Sequence, residues 1–371
     1  MSIVHFPKLS NNAWKYIDCI IDKEPVKNFL SFSLFHYLTE LNIKKREISD
    51  LWDEVSENSN EYAYVPKISV YKPLSDLYFN ILEITHCIRF NFKDYKEVGF
   101  VMFSFSPNMR EAFEPIHNLR QNQNDKYYGF SQLFNNDSPH IHTLVNSTYL
   151  STDQYKNCAD LIYCEGGDKN VSEQLRFEDL FLEITQAVCV QAHKGTIIVK
   201  LHDCFIRPTA ELIFILSSMY EKTYIIKPNV SNIYSSERFL VCNSFLFSNY
   251  KDYYHFFEKI ANIIKLHDSF INSLLPKIQL PMFFKNKMDE CNTIIGQQQL
   301  ENMYRVLEII ENKKNNTIID ISSAYIYPKQ PHRANMRNSI LWCEKYGVEY
   351  LKPYDDVDNH NRPNIFRHNN I

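Results

Sequence analysis

The sequence predicts an α/β fold built on a mostly parallel sheet. Between residues 71 and 246, short apolar runs alternate with segments in which apolar residues recur at spacings of three and four. Such alternation of strand and helix patterns is typical of parallel sheets covered by helices on both faces. The chain has 371 residues, which is enough for about two domains of roughly 150 residues each.

The elements of this middle region can be assigned in order. Six apolar runs are expected to form strands, at residues 99–105, 127–131, 160–164, 196–200, 223–226 and 239–242. Residues 172–193 show helical periodicity, and Pro208 begins a second helical stretch at 209–220, because proline suits a first helical turn. The connection between the last two strands is too short for a crossover helix, which predicts an antiparallel pair.

Three segments are distinguished along the chain. Residues 1–70 form an N-terminal region with helical patterns, residues 71–246 hold the predicted sheet, and residues 247–371 form a mostly helical C-terminal region with a polar tail. The expected architecture is therefore an α/β domain with N- and C-terminal helical additions.

Composition excludes several classes of function. Only 7 glycines occur, and neither the P-loop motif nor the Gly-x-Gly-x-x-Gly dinucleotide motif is present. The net charge of −4 excludes a basic field over the whole protein but allows a local basic groove. The 9 cysteines form no Cys-x-x-Cys pair, which is typical of reduced thiols in a cytosol-like compartment. No signal peptide, membrane span or metal site is expected.

Ligands of parallel sheets lie at the carboxyl ends of the strands, and three motifs of this sequence lie around such ends. Residues 160–167 (DLIYCEGG), 195–201 (GTIIVKL) and 227–242 (KPNVSNIYSSERFLVC) follow one another in this order. Together they resemble the FtsJ-like (RrmJ-type) ribose 2′-O-methyltransferases, and the cap methyltransferase-like proteins of large cytoplasmic DNA viruses are the most similar branch. The resemblance covers about residues 76–246 and implies a Rossmann-like S-adenosylmethionine methyltransferase sheet.

The resemblance implies a Lys–Asp–Lys–Glu active site that transfers a methyl group to a ribose 2′-hydroxyl of RNA. Carried over position by position, Lys200 matches the second lysine, Glu237 the final glutamate and Glu165 the aspartate, while Asn80 stands at the first lysine. Lysine can orient or deprotonate the hydroxyl, and the carboxylates hold and tune that amine. Lys72 is a nearby substitute for the missing first amine.

The resemblance also places the cofactor, S-adenosylmethionine, near residues that depart from the family. The glycine loop corresponds to residues 106–110, and the expected cofactor-binding residues are Pro107, Asn108, Met109, Gly129 and Phe130. Both loop glycines are absent, and the family's acidic segment has no clear counterpart in residues 145–153. Asparagine and methionine side chains in that loop would stand where the cofactor approaches the backbone.

Two functions from different classes follow. The first is an RNA 2′-O-methyltransferase that acts on the mRNA cap in the cytoplasm, which for a viral protein means the host cytoplasm or the virion. The alternative is a catalytically inactive methyltransferase fold that serves as an RNA- or protein-binding subunit, with the C-terminal helices as the protein-binding surface. An unrelated nucleotide-binding α/β protein is a third interpretation.

Overall fold

The computed structural model describes residues 1–9, 12–56, 60–90, 99–105, 109–129, 141–143, 155–168, 170–266, 269–314 and 321–351. The strands are β1 (Ser2–Phe6), β2 (Ile20–Asp22), β3 (Val101–Phe105), β4 (Lys126–Gly129), β5 (Ile141–Thr143), β6 (Ala159–Cys164), β7 (Gln191–Leu201), β8 (Tyr220–Lys227), β9 (Arg238–Phe245) and β10 (Phe270–Ser273). The α-helices are α1 (Phe32–Glu47), α2 (Ser49–Ser56), α3 (Val65–Ile68), α4 (Leu77–Cys87), α5 (Met109–Arg120), α6 (Glu173–Val190), α7 (Arg207–Ser217), α8 (Tyr254–Leu266), α9 (Met282–Lys314) and α10 (Ile321–Tyr346).

The predicted α/β fold is confirmed. Within the described residues, one sheet has the strand order β1-β8-β9-β7-β6-β3-β4-β5. Strands β3 to β7 are parallel to one another. The chain runs outward from β3 through β4 to β5 and then returns to β6 on the other side of β3, which creates a topological switch point where such folds bind ligands. This is the Rossmann-like order expected of a methyltransferase sheet, with β1 added at one edge.

The predicted antiparallel pair is also confirmed. Strand β9 runs antiparallel to both β8 and β7, with Ile225 opposite Leu240 in the first pair and Lys200 opposite Phe239 in the second. Because no crossover helix intervenes, the segment from residue 228 to residue 237 lies entirely at the carboxyl edge of the sheet. That edge is where the candidate site forms.

The two faces of the sheet carry separate cores. Phe103 and Val199 point to the face that packs on α6 and α7. Met102 and Ile198, one residue earlier on the same strands, point to the face that packs on α4 and α5. Both faces are buried, which explains why these strands appear in the sequence as continuous apolar runs instead of alternating patterns. The side chain of Lys200, two residues after Ile198, belongs to the α4 and α5 face.

The terminal segments pack directly on this sheet. Strand β1 pairs with β8 at the sheet edge, and α9 lies against α1, α2 and β1. Helix α10 packs on α3 and α4, where the Trp342 ring meets Phe79 edge-on at 5.7 Å between centroids. No helix in the described part of the chain is both long enough and apolar enough to cross a membrane.

Several details differ from the sequence-based expectations. The helix expected at 209–220 spans Arg207–Ser217, since Tyr220 already begins β8, and β5 was not among the expected strands. Residues 1–70 contain β1 and β2 as well as helices, and β1 was missed because a single edge strand of five residues carries too little pattern to stand out. The helix expected at 172–193 ends at Val190, and residues 191–193 begin β7. The Gln191 side chain explains the change, since it donates to the Ala159 carbonyl at 2.8 Å and thereby extends the contact of β7 with β6.

Candidate active site

Four side chains named from the sequence meet at the carboxyl edge of the sheet. Lys200 lies near the end of β7, Glu165 directly follows β6, Glu237 directly precedes β9, and Asn80 lies in α4. Pairing of Cys164 with Val199 brings the ends of β6 and β7 together. Because β9 enters the sheet where β7 leaves it, residues just before β9 are neighbours of residues at the end of β7.

Lys200 is the centre of the cluster. Its Nζ lies 2.7 Å from Glu165 Oε1 and 3.6 Å from Glu237 Oε2. Asn80 Nδ2 donates to Glu237 Oε1 at 3.4 Å. The Lys200 side chain is 16% exposed, so this cluster is shielded from bulk water but still reachable from it.

The charge state of Lys200 follows from these contacts. Burial acts to lower the pKa of its amine, but the carboxylates of Glu237 and Glu165 act in the opposite direction and leave the pKa above its ordinary value. Lys200 is therefore an ammonium at neutral pH. In this arrangement it can orient a hydroxyl group by donating a hydrogen bond, but it has no lone pair with which to accept a proton.

Two glycines shape the turn that carries Glu165. Gly166 and Gly167 have φ angles of +75° and +83°, which side chains other than glycine rarely tolerate. A Cβ on Gly166 would collide with the carbonyl oxygen of Lys200. The Glu183 carboxyl group of α6 accepts the Gly166 N–H at 2.9 Å and thereby fixes the turn against α6.

A buried lysine shapes the segment that carries Glu237. The ammonium of Lys227 donates to the carbonyl oxygens of Asn232, Ser235 and Glu237 at 3.1, 3.0 and 2.8 Å. Burial lowers the pKa of Lys227 to about 7, against the opposing effect of the Glu237 carboxylate. The segment of each site carboxylate is thus held by an ionisable residue, Glu183 of α6 for Glu165 and Lys227 of β8 for Glu237.

The first amine of the expected tetrad is absent from the described site. Asn80 is 2% exposed, and its Oδ1 has no hydrogen-bond partner among the described residues. Lys72, named as a substitute, donates instead to the carbonyls of Pro66 and Lys67 at 3.0 and 2.7 Å. The described cluster therefore contains one ammonium.

Sequence reasoning missed further polar residues beside this cluster. Tyr163 donates its hydroxyl to Glu165 Oε2 at 2.8 Å. Glu111 of α5 is 4% exposed and accepts a hydrogen bond from Ser75, and burial, followed by the nearby Glu165 charge, raises the pKa of its carboxyl. Tyr163 lies within β6 and Glu111 within α5, so neither is among the residues that directly follow a strand.

Much of the expected cofactor-binding set lies outside the described residues. Pro107, Asn108 and Phe130 fall there, as does the segment 145–153. Met109 begins α5, and Gly129 is the buried last residue of β4, opposite Ser104 of β3. Ser104 is fully buried, and its Oγ has no partner among the described residues.

Comparison with known proteins gives partial matches. No protein-family profile matches the chain. It is 24% identical over 181 residues to a protein named cap-specific mRNA (nucleoside-2′-O-)-methyltransferase 1 from Trypanosoma brucei brucei, covering 47% of this chain and 49% of the relative. A protein of the same name from Trypanosoma cruzi is 29% identical over 112 residues, which cover 29% of this chain and 31% of the relative. The chain thus spans at most about half the length of these relatives, which are not viral.

Solved structures align with this chain at lower sequence identity than the trypanosome relatives do. A ribosomal RNA methyltransferase from Plasmodium falciparum aligns with 46% of this chain and 98% of its own, at 18% identity and a TM-score of 0.36. Human methyltransferase-like protein 13 aligns with 62% of this chain and 89% of its own, at 10% identity and a TM-score of 0.29. The assignment of the fold rests on the strand order described above.

Proposed function

We propose that the chain is an S-adenosylmethionine-dependent ribose 2′-O-methyltransferase-type protein that acts on RNA, with capped mRNA as its substrate. The observation that carries the proposal is the contact of Lys200 with both Glu165 and Glu237 at the carboxyl edge of a sheet with this strand order. The names of the two trypanosome relatives support the same substrate class. Because the chain spans at most about half of each relative, cap specificity remains part of the proposal.

The described ends of β3 and β4 fit a cofactor at the switch point. Ser104 Oγ is a buried polar atom without a described partner, and Gly129 opposite it adds no side chain. A polar ligand at this place would satisfy the serine hydroxyl. When bound there, S-adenosylmethionine would supply an electrophilic methyl group on a sulfonium.

The residues of the cluster divide the remaining work between orientation and proton acceptance. Lys200 is held as an ammonium, so it orients the attacking ribose hydroxyl by donating a hydrogen bond to its oxygen. The proton released from that hydroxyl must move to an acceptor within reach. The carboxylates of Glu237 and Glu165 are the acceptors that flank Lys200, so we assign this role to the pair.

A second candidate function is favoured by Asn80. An asparagine cannot supply the second ammonium of the tetrad, so the chain would then be a catalytically inactive methyltransferase fold that binds RNA or protein. The C-terminal helices are our expected protein-binding surface, and the cytoplasm is our expected location for either function. Fractionation of cells that express the tagged chain tests the location.

The test separates binding from turnover. S-adenosylmethionine is titrated by calorimetry, and capped RNA is incubated with a methyl-labelled cofactor. Lys200→Met removes the ammonium, while Lys222→Met on β8 is the matched control, because Lys222 is exposed and lies away from the carboxyl edge of the sheet.

The outcomes distinguish the two candidates. Label at a ribose 2′-oxygen that falls by about 100-fold or more in Lys200→Met, and not in Lys222→Met, supports the enzyme. RNA binding without any label supports the inactive fold. A chain that binds neither cofactor nor RNA contradicts both the enzyme and the RNA-binding alternative.

A further inference from the structure

An incompletely satisfied group of acceptors surrounds Asn80. The Asn80 side chain is almost completely buried, and Nδ2 points at Glu237 Oε1 across a long 3.4 Å contact. Oδ1 has no hydrogen-bond partner in the part of the chain that the structure describes. A buried amide oxygen without a partner is costly, so a donor from outside the chain fits this position.

The charges around Asn80 are unbalanced. Lys200 lies 2.7 Å from Glu165 and 3.6 Å from Glu237, so a single ammonium is shared by two carboxylates. Asp76 lies four residues before Asn80, on the same face of the helical segment, and its side chain reaches solvent. The protein atoms around Asp76, followed by the charge of Glu237, raise the pKa of its carboxyl. Asp76 and Glu237 therefore lie close enough to interact electrostatically, and the Asn80 amide donates to Glu237.

The side chains of Asp76, Asn80 and Glu237 limit the kind of ligand that can bind between them. A hydroxyl could donate to Asn80 Oδ1 but would leave the two carboxylates without a cation. A quaternary ammonium carries charge but has no N–H to donate. Within the described residues, no group of three His, Cys, Asp or Glu side chains is arranged to hold a metal ion. A primary ammonium supplies both a positive charge and three N–H donors.

We propose that Asp76, Asn80 and Glu237 form a binding site for a primary ammonium group that comes from outside the chain. One N–H would donate to Asn80 Oδ1, and the others would face the carboxylates of Glu237 and Asp76. Asp76 is exposed, so its carboxylate is open to an amine that arrives from solvent. The ligand would be a polyamine or the side chain of a lysine, which share this group.

The probe is methylammonium chloride, with tetramethylammonium chloride and sodium chloride at equal ionic strength as references. Binding is followed by the shift of the thermal unfolding midpoint and by the broadening of the methylammonium methyl signal in NMR. We expect a millimolar dissociation constant, and a midpoint that rises by about 2 °C at ten times that concentration. The two reference salts should give no such shift.

Three variants locate the site. Asn80→Lys places the chain's own ammonium at this position and should abolish both responses, and Asp76→Asn should weaken binding about fivefold or more. Asp53→Asn, on the exposed surface of α2, is the matched control and should behave as the unmodified protein. Each midpoint is compared with that of the same variant without amine, so a change in stability does not mimic binding.

Further arms distinguish the source of the ammonium. Spermidine that binds more than about tenfold tighter than methylammonium indicates a polyamine, whereas equal binding by Nα-acetyl-lysine amide indicates a lysine side chain. Equal responses to methylammonium and tetramethylammonium, or an unchanged response in both Asn80→Lys and Asp76→Asn, would overturn the proposal. These measurements use no cofactor or RNA, so a failure of the ammonium proposal can be told apart from a failure of the proposed methyl transfer.

Discussion

Replacing Glu183 with glutamine should change how the stability of the protein depends on pH. The Glu183 carboxyl supports the turn that carries Glu165, through the 2.9 Å contact with the Gly166 N–H. Burial, against the effect of that hydrogen bond, raises the pKa of Glu183 to about 8. A group whose pKa is higher in the folded protein holds its proton more tightly there than in the unfolded chain. The free energy of unfolding therefore falls as the pH rises from the unfolded pKa of about 4.3 towards 8.

The magnitude follows from the slope of that dependence. Each pH unit in this window costs up to about 1.4 kcal/mol, or about 2.7 kcal/mol between pH 5.5 and 7.5. Because part of the Glu183 residue remains accessible to solvent, we expect about half of this, near 1.4 kcal/mol. Glutamine does not ionise and keeps a carbonyl oxygen that can accept the Gly166 N–H, so Glu183→Gln should lack this contribution.

The assay is urea unfolding of both proteins at pH 5.5, 6.5 and 7.5. Comparison with the variant cancels the contributions of the other titrating groups, which both proteins share. The variant should gain stability relative to the unmodified protein as the pH rises. Parallel pH profiles for the two proteins would refute the reasoning, because they would mean that Glu183 ionises normally when folded.

Two further predictions concern the stability of the sheet, one at the turn beside the site and one at the amino end of β4. Gly166→Ala should lower the free energy of unfolding by about 3 kcal/mol or more, because its Cβ would meet the Lys200 carbonyl at a positive φ. Gly347→Ala is the control, since Gly347 has a φ of +67° but open space around it, and it should cost about 1 kcal/mol in the same urea assay. Asp125→Asn should cost about 3–5 kcal/mol, since it removes the negative charge that the buried Arg120 guanidinium contacts at 2.5 Å, and a loss under 1 kcal/mol by urea unfolding would contradict this.

The sheet could be predicted from the sequence because its central strands are buried on both faces. Burial of both faces forces consecutive residues such as Leu161, Ile162 and Tyr163 to be apolar or aromatic, and that run is visible without any knowledge of the fold. The antiparallel β8–β9 pair was predictable for a different reason, since chain length alone excludes a crossover helix. Strand β1 was not predictable, because its partner β8 lies more than 200 residues away in the sequence.

The site could be predicted where its residues lie at the ends of strands or where the family resemblance assigned them, as it did for Asn80 in α4. Lys200 and Glu165 follow apolar runs, and the fold brings such residues to one edge. Glu111 and Asp76 could not be found in this way. A carboxylate in or beside a helix has the same sequence pattern whether it faces water or a neighbouring helix, and only the packing of α4 against α5 decides the outcome.

The two residues that support the site segments, Glu183 and Lys227, indicate that the positions of the site carboxylates matter for function. Glu183 and Lys227 are both removed from water at a cost in stability, as the direction of each pKa shift indicates. Each binds backbone groups of the segment that carries a site carboxylate, rather than an opposite charge within hydrogen-bond distance. Non-ionisable residues would hold the sheet together at lower cost, so the retention of these two ionisable groups is explained by the segments that they position. The cost of keeping these two residues therefore supports a functional site around Lys200, which either methylates a ribose or binds a ligand.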